Sequence, residues 1–397
     1  MNLLKIRGTI YLSVVIVCFF NLSTIAFAQR PVEQTEENIP VLTLAILQTE
    51  LLNVNPEIAT ARLAWEAAQE EIPQAGALDD PEFTITQWVF PSNFQIGDAD
   101  ETWYGMSQNM PFPGKRSLQR QVAAKGAEIA EAEFHGKIRE VITRAKAAYY
   151  QAFLADKSYL IYLEHQTLLE TFIKIAEKKY ALGQVPQLDI LNATLEMTKL
   201  HASLLVLEQE RKGIRALINT LLNRPPDWPV GPIKDLTYRP LLLSLDDLTG
   251  QAIAKRPALS AARFMIDKNE QARALANKNN LPDFMIETAY MDLHAGSNAW
   301  MLSVKINLPW LLEKYDAHAR HAALKEAQAR ADYTAIQNQT LSDVRNLFNK
   351  VKTAEALIDA YQKGILPQAE QLLAAAQIGY QTGKVNFLSC SKTSRDA

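Results

Sequence analysis

The phrase "YALGQVPQLDIL" occupies residues 180–191, and near the end of the chain "YQTGKVNFLSC" occupies residues 380–390. In the first, Gly183 can take the left-handed backbone that stops a helix, and Pro186 cannot continue one. Asp189 then reads as the cap of a returning helix on which Leu191, Leu195 and Thr198 hold a common face. The spacing predicts the tip of a helical hairpin. Gly383 permits the same ending in the second phrase, with Asn386 or Ser389 as caps.

The phrase returns because a whole unit returns. Leu42, Thr43 and Leu44 lead a helical pattern to Asn55-Pro56-Glu57-Ile58, as Leu243, Ser244 and Leu245 lead one to Arg256-Pro257-Ala258-Leu259. Pro81-Glu82-Phe83 answers to Pro282-Asp283-Phe284, and Met110-Pro111-Phe112 to Leu308-Pro309-Trp310. Partners lie about 200 residues apart in unchanged order, the mark of an internal duplication. The chain therefore divides into a signal peptide (1–28), a first repeat (29–224), a Pro-rich linker (225–241) and a second repeat (242–397). Pro225, Pro226, Pro229, Pro232 and Pro240 keep the linker extended, since neither a helix interior nor a central strand tolerates them.

The signal reading rests on Lys5 and Arg7, the apolar run at 10–20, and the small residues of Ala26-Phe27-Ala28. That run is short of the roughly 20 residues a membrane helix needs. Cys18 would leave with it, so Cys390 stands alone and neither a disulfide nor a cysteine metal cluster is expected. The net charge is −3, or about −5 without the two basic signal residues, and nothing in it suggests nucleic acid as a partner. No other stretch could cross a bilayer as an apolar helix, so any crossing would fall to strands.

Strands are legible. Trp300, Leu302, Val304, Ile306 and Leu308 alternate with Met301, Ser303, Lys305 and Asn307, giving one oily and one mostly polar face. Residues 284–290, 83–90 and 103–110 repeat the pattern more loosely, with turn residues at 97–100 and 295–298 between partners. Export, together with lengths near those of tilted transmembrane strands, favours membrane strands over two hairpins of a soluble sheet. The rest reads as helix. Residues 114–182 form a proline-free run of about 69 residues, roughly 100 Å long as one helix. Ile138, Ile142, Ala145, Tyr149 and Ala152 step by four and three, as do Leu347, Val351, Ala354, Ile358, Tyr361 and Ile365.

Taken together, these features resemble the TolC-like outer-membrane efflux proteins, from the "LTL…NPE" entry at Leu42 through the doubled strands to both tips. "MPFPGKR" at 110–116 is similar to the branch serving heavy-metal exporters. The resemblance implies a mainly α fold in which long coiled-coil hairpins form an α-barrel. It also implies four transmembrane β-strands per chain, contributed to a shared twelve-stranded trimeric β-barrel. Geometry points the same way, because four strands leave unpaired edges and known barrels start at about eight. The implied setting is a homotrimer in outer-membrane lipid with a long periplasmic extension. Its implied partners are a periplasmic adaptor (a membrane fusion protein) and an inner-membrane pump. Gly183, Gln184, Val185, Gly383, Lys384 and Val385 carry over as adaptor-contact residues, in the region that splays to open the pore.

No phosphate-binding loop or dinucleotide fingerprint is present, so the expected role is passive export of small molecules or metal ions, with no cofactor and no enzymatic activity. His318 and His321 lie three apart on a helix, but without a third ligand they read as a solvated face. Asp79 and Asp80, like Asp98, Asp100 and Glu101, read as loop ends. Glu70 and Glu71 are adjacent on a helix and point apart. One departure from the family stands out. The first repeat continues past its tip through Leu204, Leu207 and Ile214 to Leu222, whereas the second ends at Ala397. The text after Leu388 reads as a frameshift or truncation, with an unstable or leaky tunnel as the expected consequence. A periplasmic coiled-coil structural protein and a non-functional truncated duct are the alternatives.

Overall fold

The structure, a computed structural model, describes residues 40–88, 101–293 and 296–382. The signal peptide, the turn at 97–100, the second tip at 383–385 and Cys390 lie outside the described residues. The stretch read as the first repeat contains α1 (Leu44–Val54), α2 (Pro56–Gly76), β1 (Glu82–Trp88), β2 (Glu101–Met110), α3 (Lys115–Ala181) and α4 (Gln187–Leu221). The second comprises α5 (Leu245–Lys255), α6 (Pro257–Lys278), β3 (Phe284–Leu293), β4 (Ala299–Ile306), α7 (Leu312–Ala360), a π-helical turn (Tyr361–Ile365) and α8 (Leu366–Gln381).

Asn55 is the joint between α1 and α2. Proline at position 56 cannot extend α1 but suits the first turn of α2. Asn55 Oδ1 accepts from the N–H groups of Glu57 (3.0 Å) and Ile58 (3.2 Å), while Nδ2 donates to the Leu221 carbonyl at 2.8 Å. The side chain thus caps α2 and satisfies the end of α4, and it is buried. Asn55→Ala is expected to destabilise by about 2–3 kcal/mol, from the lost cap and an orphaned buried carbonyl. Thermal unfolding of the full chain followed by circular dichroism reads this directly, and a change under about 0.5 kcal/mol, the size of a neutral surface substitution, would contradict it. The second repeat solves the same joint differently. There Arg256 precedes the proline, and its guanidinium reaches Thr340 (3.0 Å) and Asp343 (3.1 Å) on α7.

α3 runs unbroken for 67 residues, about 100 Å. Its buried stripe is mostly alanine (Ala132, Ala145, Ala148, Ala152, Ala155), which lets α2, α4 and α6 approach closely. Leu47 and Leu51 of α1, Val141 and Tyr149 of α3, and Ile218 of α4 close one core. The predicted seam positions Ala145, Tyr149 and Ala152 lie in it. Their second-repeat counterparts do not pack in this way. Leu347, Val351, Tyr361 and Ile365 are 40–60 % exposed, because period alone marks a face and burial needs a partner on it.

The linker is extended but tethered. Its Ile233 bridges to Leu42, and Asn219 donates to the carbonyls of Pro226 (2.9 Å) and Trp228 (2.7 Å). Leu241 N–H reaches Glu355 of α7 at 2.6 Å.

The strands form one four-stranded antiparallel sheet in the order β1-β2-β3-β4. β2 and β3 pair over their full lengths, so the two hairpins merge at the centre. One face carries Phe83, Ile85, Met106, Ile286, Trp300, Leu302, Val304 and Ile306, all exposed. This corrects the expected fold class. The sheet is open, with β1 and β4 as edges, and it is not closed into a barrel. The reading of the strands as transmembrane staves is not borne out, and no helix among the described residues is long and apolar enough to cross a membrane. Alternation specifies that a strand has two faces, and it carries no information about closure.

Candidate functional site

The first tip is built as its residues dictate. α3 ends at Ala181, and Gly183 follows with φ +70°. Gly183 N–H donates to the Tyr180 carbonyl (2.8 Å) and Gln184 N–H to the Lys179 carbonyl (2.9 Å), the paired bonds that close a helix on a left-handed residue. α4 starts at Gln187 with Pro186 at the cap position. Asp189 is therefore not the predicted cap. It lies in the first turn, buried, where a carboxylate complements the helix dipole. Around the turn Leu182, Leu188 and Leu191 are 58–70 % exposed.

Just inside the tip, the two repeats meet. Lys179 of α3, itself buried, donates to the backbone carbonyl of Tyr380 on α8, with Nζ 5.1 Å from the ring centroid. Phe172 stands edge-on to the same ring (6.1 Å, 86°). Leu169, Ala176, Ala193 and Leu200 complete this cluster. The two tyrosines of the similar phrases differ in burial. Tyr380 is fully buried and Tyr180 is half exposed.

A second junction lies at the far end of α3, in "MPFPGKR". Gly114 has φ +91°, and Lys278 Nζ stands where a β-carbon would clash. Lys115, buried, donates to Asp283 Oδ1 (2.8 Å) and to the Leu281 carbonyl (2.8 Å). Phe112 N–H also donates to Asp283 Oδ1 at 2.8 Å. Arg116 clasps the Gly76 carbonyl through Nε (3.0 Å) and Nη2 (2.6 Å). These bonds tie the strand-to-helix corner of the first repeat to α2 and to the second repeat.

Neither the Lys179–Tyr380 join nor the Lys115–Asp283 join was read from the sequence. The one available signal was the Gly-Lys-Arg phrase itself, which the second repeat lacks. His318 and His321 lie exposed on α7, and no group of three or more metal-ligating side chains occurs among the described residues. Glu326 is held below the usual range by hydrogen bonds from Arg273 and Arg330, an arrangement that fastens α6 to α7.

The description "Outer membrane efflux protein" fits residues 46–224 and 248–397. The chain belongs to that family. This efflux protein is accordingly the outer-membrane channel component of a tripartite efflux system, and not an enzyme. It is 22% identical over 364 residues to the cobalt-zinc-cadmium resistance protein CzcC of Cupriavidus metallidurans, covering 87% of this chain and 82% of that one. Its fold superposes on the outer membrane protein VceC of Vibrio cholerae with a TM-score of 0.75 at 20% identity, covering 89% of each chain. It superposes on CusC with a TM-score of 0.74 at 16% identity, covering 89% of this efflux protein and 85% of that chain.

Proposed function

We propose that this chain works as a homotrimeric outer-membrane duct for metal ions, extending into the periplasm, where an adaptor links it to an inner-membrane pump that supplies the energy. Similarity to CzcC along 87% of the chain is the observation that supports the cargo class, and the "MPFPGKR" phrase agrees with it. Residues 1–28 act as the export signal, and 225–241 join the two repeats. The adaptor meets Gly183, Gln184 and Val185 on the first tip and Gly383, Lys384 and Val385 on the second. Exposed Leu182, Leu188 and Leu191 at the end of a hairpin support that assignment, since clustered apolar side chains on a surface mark contact sites.

A cysteine at Gln184 is expected to cross-link to a co-expressed adaptor in cells, and one at Lys212, exposed along α4, is not. Equal cross-linking at both positions would remove the tip from the interface. Deleting the gene should sensitise cells to cobalt, zinc or cadmium by several-fold in growth assays. Unchanged sensitivity to all metals, with raised sensitivity to organic compounds, would overturn the cargo class.

A further inference from the structure

The oily face of the sheet ends in a groove where the strands meet the helices. Register places Met110 of β2, Phe284 and Ile286 of β3 and Val304 of β4 on that face, and Phe112 extends it by stacking on Phe284 (6.4 Å, 25°). With Leu78 these residues line an open cavity of about 490 Å³. Leu78, Met110 and Ile286 are 38–39 % exposed and Val304 60 %, so the apolar lining faces outward. Just past β4, Leu308 and Trp310 are also exposed, and tryptophan beside an apolar band is enriched where proteins meet a lipid headgroup layer.

The charged lining of the groove is cationic. Arg116 gives Nε and Nη2 to the Gly76 carbonyl, a neutral acceptor, so its charge stays unbalanced. Lys278 Nζ stands against Gly114, another residue of the lining, and no hydrogen bond, ion pair or ring contact engages it among the described residues. A partly buried ammonium without a counter-charge is unfavourable, and an anion at the mouth of the groove removes that cost. The carboxylates of this corner are placed elsewhere. Asp283 is committed to Lys115 and to Phe112 N–H, while Asp79 lines the adjoining cleft with Asn109, Met285 and Lys305 of the sheet's other face.

We propose that the groove binds a phospholipid with an anionic headgroup, of the phosphatidylglycerol class, one acyl chain lying along the apolar lining and the phosphate meeting Arg116 and Lys278. The inference draws on the outer-membrane setting and is independent of the exported cargo. Apolar walls alone would accept any oily segment, and cations alone any phosphate. Their juxtaposition selects a molecule that carries both. A second copy of the chain fits less well, because pairing onto β1 or β4 follows the free strand edges and leaves the foot of β2 and β3 uncovered.

The test uses the full chain in a non-ionic detergent, stripped of lipid and titrated with dioleoyl phosphatidylglycerol, with bound lipid counted by native mass spectrometry. Saturable uptake of one lipid per chain is expected, and dioleoyl phosphatidylethanolamine, whose headgroup is neutral overall, should bind more weakly. Lys278→Gln should weaken phosphatidylglycerol binding about fivefold, the contribution of one basic residue at a lipid surface. Ile286→Trp fills the groove from an exposed position and should weaken both lipids about tenfold or more, since displacing about two methylenes amounts to that. Ile85→Trp, on the same face but outside the groove, should change neither, and unaltered circular dichroism confirms folding of each variant. Glycerol phosphate, which has the headgroup chemistry without the chains, should not compete. Uptake without a plateau, or equal binding by the parent and either groove variant, overturns the site. Full competition by glycerol phosphate overturns it in favour of a free-anion site. Loss of oligomer mass in Ile286→Trp with an unchanged lipid count overturns it in favour of a contact between copies.

Discussion

Tyr380→Ala is expected to release α8 from the first hairpin. The side chain is 1% exposed, and truncating a buried aromatic ring costs about 3–5 kcal/mol through lost transfer energy and the cavity left behind. Two further contacts go with the ring. The edge-on contact with Phe172 and the Lys179 ammonium 5.1 Å from the centroid each contribute about 0.5–1 kcal/mol or more beyond area. Lys179 would keep the Tyr380 carbonyl as acceptor, so the backbone tether weakens without vanishing. Tyr380→Phe retains the ring and should cost about 1 kcal/mol at most. Tyr180→Ala, at the matching place in the first repeat, removes a half-exposed side chain and should also cost under about 1 kcal/mol. Hydrogen exchange of residues 366–381, read beside thermal unfolding, distinguishes the three variants. Equal protection of α8 in Tyr380→Ala and the parent would show that the ring does not join the repeats.

What was legible in the sequence is what local chemistry decides. Gly183 ends a helix in either context, because only a residue free of the β-carbon penalty sits comfortably at φ +70°. The Asn55 cap is equally local, with its acceptor and the missing N–H of Pro56 adjacent in the chain, although the sequence reading marked that stretch only as the end of a helical pattern. Alternation marked the strands to within a few residues and placed Trp300, Leu302, Val304 and Ile306 on one face. Asp189 misled because a cap-forming residue three positions past a proline competes with the proline itself, and the helix began earlier. What failed was everything needing a second surface. Whether a strand edge is closed, or whether Leu347 and Val351 are covered, depends on what lies opposite, and periodicity is silent on that. Lys115 and Asp283 stand 168 residues apart, beyond any local pattern.

That pair carries the other large effect. Asp283→Ala leaves the ammonium of Lys115, whose side chain is 6% exposed, with only the Leu281 carbonyl, and it removes the acceptor for Phe112 N–H. Breaking a buried ion pair by deleting one partner costs about 3–5 kcal/mol, and because Asp283 is itself 43% exposed the lower end, about 3 kcal/mol, is expected. Asp283→Asn keeps an oxygen for both donors and should fall between the alanine variant and the parent. Lys115→Met added to Asp283→Ala should recover stability, since a flexible apolar chain tolerates the dry site better than an unpaired charge does. The sign of the coupling in this cycle is decisive. If the double variant is less stable than Asp283→Ala alone, Lys115 stabilises the corner mainly through the Leu281 carbonyl, and the carboxylate serves only Phe112. Recovery in the double variant instead shows that Asp283, just ahead of β3, serves mainly to neutralise the buried ammonium at the start of α3.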